Sequence, residues 1–267
     1  MKVNVVLTNR FDENLTEFNL KNTVCAVIDV IRATSTITAM FENGAGSILL
    51  TENKRQALRL KKIFPEYMLC GEVNCFPPKG FDYGNSPIDI LSAVIKNKNF
   101  ILMTTNGTKS FFKVKNCAAV FALSILNLNY TVDNIVRIAD ENFYDILLLC
   151  SGEEGKIAYD DAYTAGLAVK YMLTKPYKFE FSDTSKLVLS AALSEISINN
   201  ALEKSCSTIS LKKAGFGNDI QFCSQLNRYK IAGKLNLVSL KSLIINEGKS
   251  YKDSVLAKEM ILMLSPC

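Results

Sequence analysis

The chain has 267 residues, 48% of them apolar and 21% charged, the make-up of an ordinary globular protein long enough to bury a sizeable core. Its 31 Lys and Arg against 26 Asp and Glu leave a net charge of +5, scattered rather than clustered, which argues against a nucleic-acid-binding surface. Histidine is absent; this excludes a Ser-His-Asp triad, a phosphohistidine intermediate and His-ligated metal chemistry, and leaves any catalysis to carboxylates, Arg, Lys, Ser, Thr, Cys or a hard cation.

Val3, Val5 and Leu7 alternate as a first strand. The amino terminus reaches polar Thr8-Asn9-Arg10 too soon for a cleavable signal. The most apolar run, Ile146 to Cys150, is of strand length, so neither secretion nor a membrane span is expected and the cytoplasm is the expected compartment. In that setting the eight cysteines read as reduced, Cys25, Cys117 and Cys150 as apolar strand residues; none has the C-x-x-C spacing of a structural zinc site. Residues 11–22 are polar and read as loop, and 24–29 as a second strand. That strand stops at Asp29, followed by Arg32 and the hydroxyls Thr34, Ser35 and Thr36. Apolar residues then recur at helical spacing over 35–43, up to Gly44 and Gly46, which suit a helix end.

The alternation continues with a strand at 47–50, an amphipathic helix at 54–64 stopped by Pro65, and a short strand at 67–71. Residues 71–87 hold three prolines and three glycines together with Phe76, Phe81 and Tyr83, the pattern of a long ordered loop that serves as a lid or binding segment. A helix follows from Pro87 to about 95. Residues 100–103 form a strand running into Thr104-Thr105-Asn106-Gly107-Thr108, then a helix over 110–114. Residues 118–123 and 145–150 read as strands with a helix at 127–139 between them. Asp160-Asp161 opens another helix, with Ala162, Ala165, Val169 and Leu173 on one stripe. Helices are expected at 183–193, 195–202, 207–213, 220–226 and, amphipathically, 254–264, with a strand at 235–239; Asn218 or Asp219 is the expected cap of the helix at 220. Strands alternating with helices predict an α/β fold, layered α/β/α on a largely parallel or mixed sheet. Residues 1–267 read as one unit; a division into two α/β lobes, if there is one, falls between 123 and 145.

Two strand ends carry the chemistry. In open α/β sheets ligands bind beyond the carboxyl ends of strands. Asp29 and Arg32 supply one carboxylate for a cation and one guanidinium for an oxyanion, half of a phosphoryl site, although an acid and a hydroxyl at such a junction also serve as plain caps. Thr105, Asn106, Gly107 and Thr108 form a small polar cradle or, equally, an Asn-Gly turn. Asp160 and Asp161 either complement the helix dipole or hold a hard divalent cation. Walker-type and G-x-G-x-x-G phosphate loops are absent. Cys25 and Arg32 miss the spacing of a cysteine-dependent phosphatase by one residue, and there is no D-x-D-x-T element.

Four stretches in this order, VIDVIRATST, GEV with GFDYGNSP, TTNGT, and CSGEEG with DDAYTAG, resemble the 2-phosphosulfolactate phosphatases (the ComB family) over most of the chain. The resemblance implies an α/β fold of its own and a Mg²⁺-dependent hydrolase that converts (R)-2-phospho-3-sulfolactate to (R)-3-sulfolactate on a route toward coenzyme M or related sulfonates. Two positions depart from the family pattern: Val73 stands where a basic residue is common, and Asp160-Asp161 where Glu-Asp is common. On this reading Asp29, Asp160 and Asp161 hold Mg²⁺. Arg32, Thr34, Ser35, Thr105, Asn106, Gly107 and Thr108 contact the phosphoryl group. Glu72, Asn85 and Ser86 order the site or meet the acid groups of the substrate, and a carboxylate, Glu72 or Asp82, serves as general base. The expected partner is a small phosphorylated acid, with no nucleic acid and no membrane; association of several copies is left open. Two alternatives stand beside it: a phosphatase of another 2-hydroxycarboxylate ester, and a non-catalytic binder of small phosphorylated acids.

Overall fold

Ten strands in one sheet set the frame of the computed structural model, which describes residues 1–10, 18–248 and 259–267. The strands are β1 Lys2–Val6, β2 Thr23–Ile28, β3 Ile48–Thr51, β4 Met68–Gly71, β5 Phe100–Met103, β6 Ala119–Leu123, β7 Asp145–Cys150, β8 Glu180–Phe181, β9 Gly233–Ser239 and β10 Met260–Pro266. The helices are α1 Ala33–Glu42, α2 Lys54–Ile63, α3 Pro87–Ser92, α4 Gly107–Lys113, α5 Leu128–Asn142, α6 Tyr159–Met172, α7 Asp183–Ser194, α8 Ile198–Glu203, α9 Cys206–Lys213, α10 Gly217–Cys223 and α11 Leu240–Asn246.

The sheet order is β4-β5-β3-β10-β9-β6-β2-β7-β1-β8. β4-β5-β3 form one parallel block and β6-β2-β7-β1-β8 another. The antiparallel pair β9–β10 joins them through short registers, Phe121↔Lys234 and Ala122↔Gly233 on one side, Met263↔Leu49 and Leu264↔Ile48 on the other. Every residue of β2, β3, β5 and β6 is buried, as expected of parallel strands covered on both faces.

Alternate residues of each strand enter different cores, and this period of two builds the layers. Val24, Ala26 and Ile28 of β2 pack with Val132 and Ile135 of α5, Ala165 and Val169 of α6, and Val188 of α7. Cys25 and Val27 face the other way, into a core that also takes Ile48 and Leu50 of β3 and Phe100 and Leu102 of β5, with Ile37 and Met40 of α1 and Phe111 of α4 between them. Leu49, Ile101 and Met103 turn outward onto Ala57 and Leu60 of α2 and Leu240 and Leu243 of α11. The layered α/β/α architecture is therefore present, with α1 and α4 on one face of the sheet and α5, α6, α7, α2 and α11 on the other. Because α1 and α4 share one face of the sheet, the turns that enter them, after β2 and β5, meet.

Several boundaries differ from the sequence expectation. The helix expected at 254–264 is replaced over its last part by β10; 254–258 lie outside the described residues. Ile261, Leu262 and Leu264 are buried between β3 and β9, and an uninterrupted apolar run of this kind has no periodicity to separate strand from helix. The expected helix at 195–202 starts later, at Ile198, where the Ser197 hydroxyl accepts the Asn200 amide at 3.2 Å. The helix after Pro87 ends at Ser92 rather than 95. Of the loop expected at 11–22, residues 11–17 lie outside the described residues, and Leu20–Asn22 forms a 3₁₀ turn. All eight cysteines are free, Cys25 and Cys150 buried within strands as expected, while Cys117 is half-buried just ahead of β6. Among the described residues no helix is long and apolar enough to cross a membrane.

Candidate active site

The turn after β2 is held by its own hydroxyls. The Asp29 N–H donates to Thr34 Oγ1 at 3.2 Å, and that hydroxyl donates back to the Asp29 carbonyl at 2.8 Å. Ser35 Oγ donates to the Val30 carbonyl at 2.8 Å. The Asp29 carboxylate, through Oδ1, accepts the Ala33 N–H at 3.1 Å. The turn after β5 repeats the lock: Thr108 Oγ1 accepts the Thr104 N–H at 3.4 Å and donates to the Thr104 carbonyl at 3.1 Å, while Thr104 Oγ1 accepts the Thr108 N–H at 3.0 Å. The turns touch at Gly107, where an added Cβ would lie 2.6 Å from both Asp29 Oδ2 and the Ala33 Cβ. No larger residue fits between them.

A third turn follows β7. Asp161, in the first turn of α6, accepts the Val30 N–H at 2.9 Å on Oδ1 and the Gly152 N–H at 3.0 Å on Oδ2. It thereby ties the β2 turn to the β7 turn. Asp160 accepts Ser205 Oγ at 2.6 Å and Ser207 Oγ at 3.2 Å. Gly152 takes a positive φ of 68°, and Glu153 and Lys156 exchange backbone hydrogen bonds around Glu154 and Gly155, both also at positive φ. The loop at 71–87 closes over the top. Glu72 accepts the Thr105 N–H at 2.7 Å and the Cys75 N–H at 3.2 Å, so it joins the loop to the β5 turn.

Arg32 lies at the start of α1 with its side chain 3% exposed. Nη1 donates to Asp219 Oδ2 at 2.7 Å, Nη2 to the Cys75 carbonyl at 2.8 Å, and the guanidinium stacks on Phe216, 4.6 Å from the ring centre. Ser86 Oγ donates to the other Asp219 oxygen at 2.7 Å. A guanidinium held in this way is pre-oriented, with its remaining N–H groups available to an oxyanion.

These segments enclose a cavity of about 110 Å³, lined among others by Asp29, Arg32, Glu72, Asn85, Thr105, Asn106, Glu153, Asp160 and Asp161. Three of its carboxylates, Asp29, Asp160 and Asp161, are buried beside one another. Burial, then the charges of Asp160 and Glu72, push the Asp29 carboxyl up to about 7, against the Ala33 hydrogen bond that lowers it. Burial raises Asp160 above the usual carboxylate range despite its serine donors. Burial and the charges of Asp160 and Asp29 raise Asp161 well above it. Such a set favours protons or a hard, oxygen-seeking cation. Asp161 spends both oxygens on backbone amides, and among the described residues no group of three or more Asp, Glu, Cys or His side chains is arranged as a ligand cluster. A hard cation here would be touched directly by few side chains and would keep much of its own water. Asn85 is 3% exposed, and its Oδ1 has no hydrogen-bond partner.

Of the residues singled out by sequence, Asp29, Arg32, Glu72, Asn85, Thr105, Asn106, Asp160 and Asp161 line one cavity. Thr34, Ser35, Ser86 and Thr108 are buried and spend their hydroxyls on the scaffold, while Gly107 is the contact point of two turns. Asp82 is not brought to the cavity: it accepts the Leu69 N–H at 2.7 Å and faces Lys61 at 3.6 Å, beside β4. Asp219, expected as a helix cap, does not cap; Phe216 holds that position and the Asp219 carboxylate pairs with Arg32. Sequence reasoning missed Asp219, Phe216, Glu153 and the serines of Asp160. Only the Gly-Phe-Gly-Asn-Asp punctuation pointed to that region.

The sequence that builds this cavity matches a described family. The family model for 2-phosphosulpholactate phosphatase matches residues 10–236. A protein of Pseudothermotoga lettingae named "Probable 2-phosphosulfolactate phosphatase" is 35% identical over 216 residues, 78% of this chain and 87% of its own length. A protein of the same name from Caldanaerobacter subterraneus is 32% identical, covering 83% of this chain and 91% of its own length. Another, from Clostridium beijerinckii, is 25% identical over 97% of this chain and all of its own length. With a match running through every segment of the cavity, the chain belongs to the 2-phosphosulpholactate phosphatase family, and is an enzyme of the phosphoric monoester hydrolase class.

Proposed function

We propose that the chain is a Mg²⁺-dependent phosphatase that hydrolyses (R)-2-phospho-3-sulfolactate to (R)-3-sulfolactate and inorganic phosphate in the cytoplasm. The observation that carries this reading is the meeting of three buried carboxylates, Asp29, Asp160 and Asp161, with one pre-oriented guanidinium, Arg32, around a single polar cavity. An anionic phosphate ester entering so acidic a cavity needs a cation to offset the repulsion, and the raised carboxyls of Asp29, Asp160 and Asp161 support one. Asp29 and Asp160 would hold it, water filling the other positions, with Asp161 bracing the backbone beneath. When bound, Mg²⁺ would polarise the phosphoryl oxygens and make the attacking water more acidic.

The chain's own groups do the rest. The remaining N–H groups of Arg32 and the amides of Asn85 and Asn106 receive the phosphoryl oxygens, aimed at the charge that grows as the ester bond breaks. They are held in place before substrate arrives, Arg32 by Asp219 and the Cys75 carbonyl, and the Asn106 turn by Thr104 and Thr108. Proton transfer falls to Glu72 and Glu153, two of the three cavity carboxylates outside the cation set. The departure at Val73 does not strip a cation from this cavity, because Val73 pairs with Phe76 in a half-exposed turn and is not part of the lining.

The test is a phosphate-release screen over 2-hydroxyacid phosphates with Mg²⁺ and with chelator. Release from 2-phospho-3-sulfolactate that requires Mg²⁺ supports the reading. Faster release from a non-sulfonated ester moves the substrate, and ligand binding without release from any ester overturns hydrolysis.

A further inference from the structure

The catalytic cavity has too little positive charge for the substrate that the proposed function gives it. Six carboxylates line it, Asp29, Glu72, Glu153, Glu154, Asp160 and Asp161, against Arg32 alone, and Arg32 is already paired with Asp219. A 2-phospho-3-sulfolactate molecule carries a carboxylate and a sulfonate beyond its phosphate, and neither has a cation in that space.

A second and larger cavity of about 610 Å³ opens beside the first and shares Thr105, Asn106 and Glu154 with it. Its charge is reversed. Arg10, Lys109, Lys113 and Lys156 line it against the single carboxylate of Glu154. Among the described residues, Arg10, Lys109 and Lys156 form no ion pair. The wall between the two cavities is built rather than incidental. Asn9 donates from Nδ2 to the Asn106 carbonyl at 3.2 Å and to Ser110 Oγ at 3.0 Å, and Ser110 Oγ donates to Ser151 Oγ at 2.8 Å. The ends of β1 and β7 and the start of α4 are thereby fixed to one another. The Arg10 side chain lies against Gly155, where an added Cβ would be 2.1 Å from its Cδ.

We infer that this basic cavity is the subsite for the strongly acidic group that the substrate carries beyond its phosphate, a sulfonate or carboxylate oxyanion, and that Lys109 and Lys156, with Arg10, set specificity for it. The inference rests on the proposed phosphatase activity for its substrate, but not for its geometry. The phosphate sits among the carboxylates with its cation, and the acid tail passes Asn106 into the basic cavity. Lys109 and Lys156, which have no ion pair among the described residues, gain a charged partner from the ligand, so their contribution is to selection of the substrate rather than to bond breaking.

The experiment uses the full chain and the variants Lys109→Gln, Lys156→Gln and the double variant. Rates are measured on 2-phospho-3-sulfolactate, on 2-phospholactate (carboxylate only) and on the phosphate ester of 2-hydroxyethanesulfonate (sulfonate only). Calorimetry with 3-sulfolactate measures binding without turnover. In the double variant, the preference in kcat/KM for the doubly acidic ester over one singly acidic ester is expected to fall at least about tenfold, the scale of losing a hydrogen bond to a charged group, chiefly through KM. The ester that loses most reveals which oxyanion occupies the subsite. A preference that survives in the double variant overturns the inference, and so does an equal loss of kcat on all three esters, which would place the phosphate itself in the basic cavity. If the unaltered chain releases phosphate from none of them, the proposed activity has failed. The subsite then stands only if 3-sulfolactate binds and the double variant weakens that binding, and falls if it does not bind.

Discussion

The turns that follow β2 and β5 are built alike and do different work. In each, a threonine hydroxyl, Thr34 or Thr108, accepts from the N–H and donates to the carbonyl of the residue that follows the strand, Asp29 or Thr104. In each, a helix on the same face of the sheet starts at once. The β2 turn carries the charges, Asp29 and Arg32, and each is anchored by a distant segment or by its own helix. The β5 turn is neutral, and its Gly107 brings backbone against the Asp29 carboxylate. One turn supplies electrostatics and the other supplies shape. The scaffold lock can therefore be separated from the chemistry by substitution.

The largest structural effect is expected where charge is buried. Asp219→Asn leaves the Arg32 guanidinium without its carboxylate in a dry setting and should cost about 3 kcal/mol or more, read as a drop in melting temperature together with a fall in kcat. Little change in either would show that the Arg32–Asp219 pair does not orient the guanidinium. Gly107→Ala comes next: its Cβ must displace Asp29 Oδ2 or Ala33, and an about tenfold or greater loss of kcat/KM is expected, with a smaller change in stability. Equal effects from Gly107→Ala and from a substitution at exposed Lys115 would refute the close approach of the two turns.

Thr34→Val and Thr108→Val remove the same lock from the two turns and should each cost about 1 kcal/mol of stability, measured by denaturant melts. The comparison predicts similar stability losses but a larger activity loss for Thr34→Val, since it loosens the charged turn. The smallest effect is in pH. Asp29 rises from an ordinary value of 3.8 to about 7 on folding, and Asp160 and Asp161 also rise. Between those limits the unfolded chain binds fewer protons than the folded one, so stability is greatest below about pH 4 for these groups and is lost as pH rises toward 7. Mg²⁺ should restore melting temperature near pH 7 and do little at pH 4. A melting temperature indifferent to Mg²⁺ at both pH values would contradict a cation among these carboxylates.

Much of this was legible from local pattern. β2, β3, β5, β6 and β7 follow from short apolar runs closed by polar turns, and helices α1, α2, α5 and α6 from apolar residues at helical spacing. The convergence of Asp29, Asn106 and Asp161 on one cavity follows from parallel strands that end in polar turns. What was not legible depends on distance in sequence or on the absence of pattern. Asp219 lies 187 positions from Arg32, and nothing near it announces a guanidinium partner rather than a cap. Asp82 carries the same charge as Glu72 in the same loop, but its carboxylate is taken by the Leu69 amide beside β4, whereas Glu72 reaches the Thr105 amide. β10 is apolar on both faces because it bridges two blocks of sheet, a tertiary circumstance that a local window does not contain. Thr34 and Thr108 were expected at the phosphoryl group; buried hydroxyls satisfied by backbone hold the turn instead.

Asp29 stands at the meeting of all three turns, and its substitution tests the account most directly. Phosphate release from 2-phospho-3-sulfolactate should be measured for the unaltered chain and for Asp29→Asn across a Mg²⁺ titration, with folding checked by circular dichroism. The account predicts Mg²⁺-dependent release that falls at least about a hundredfold in the folded variant. Full release by Asp29→Asn, or release by the unaltered chain that chelator leaves untouched, would contradict it.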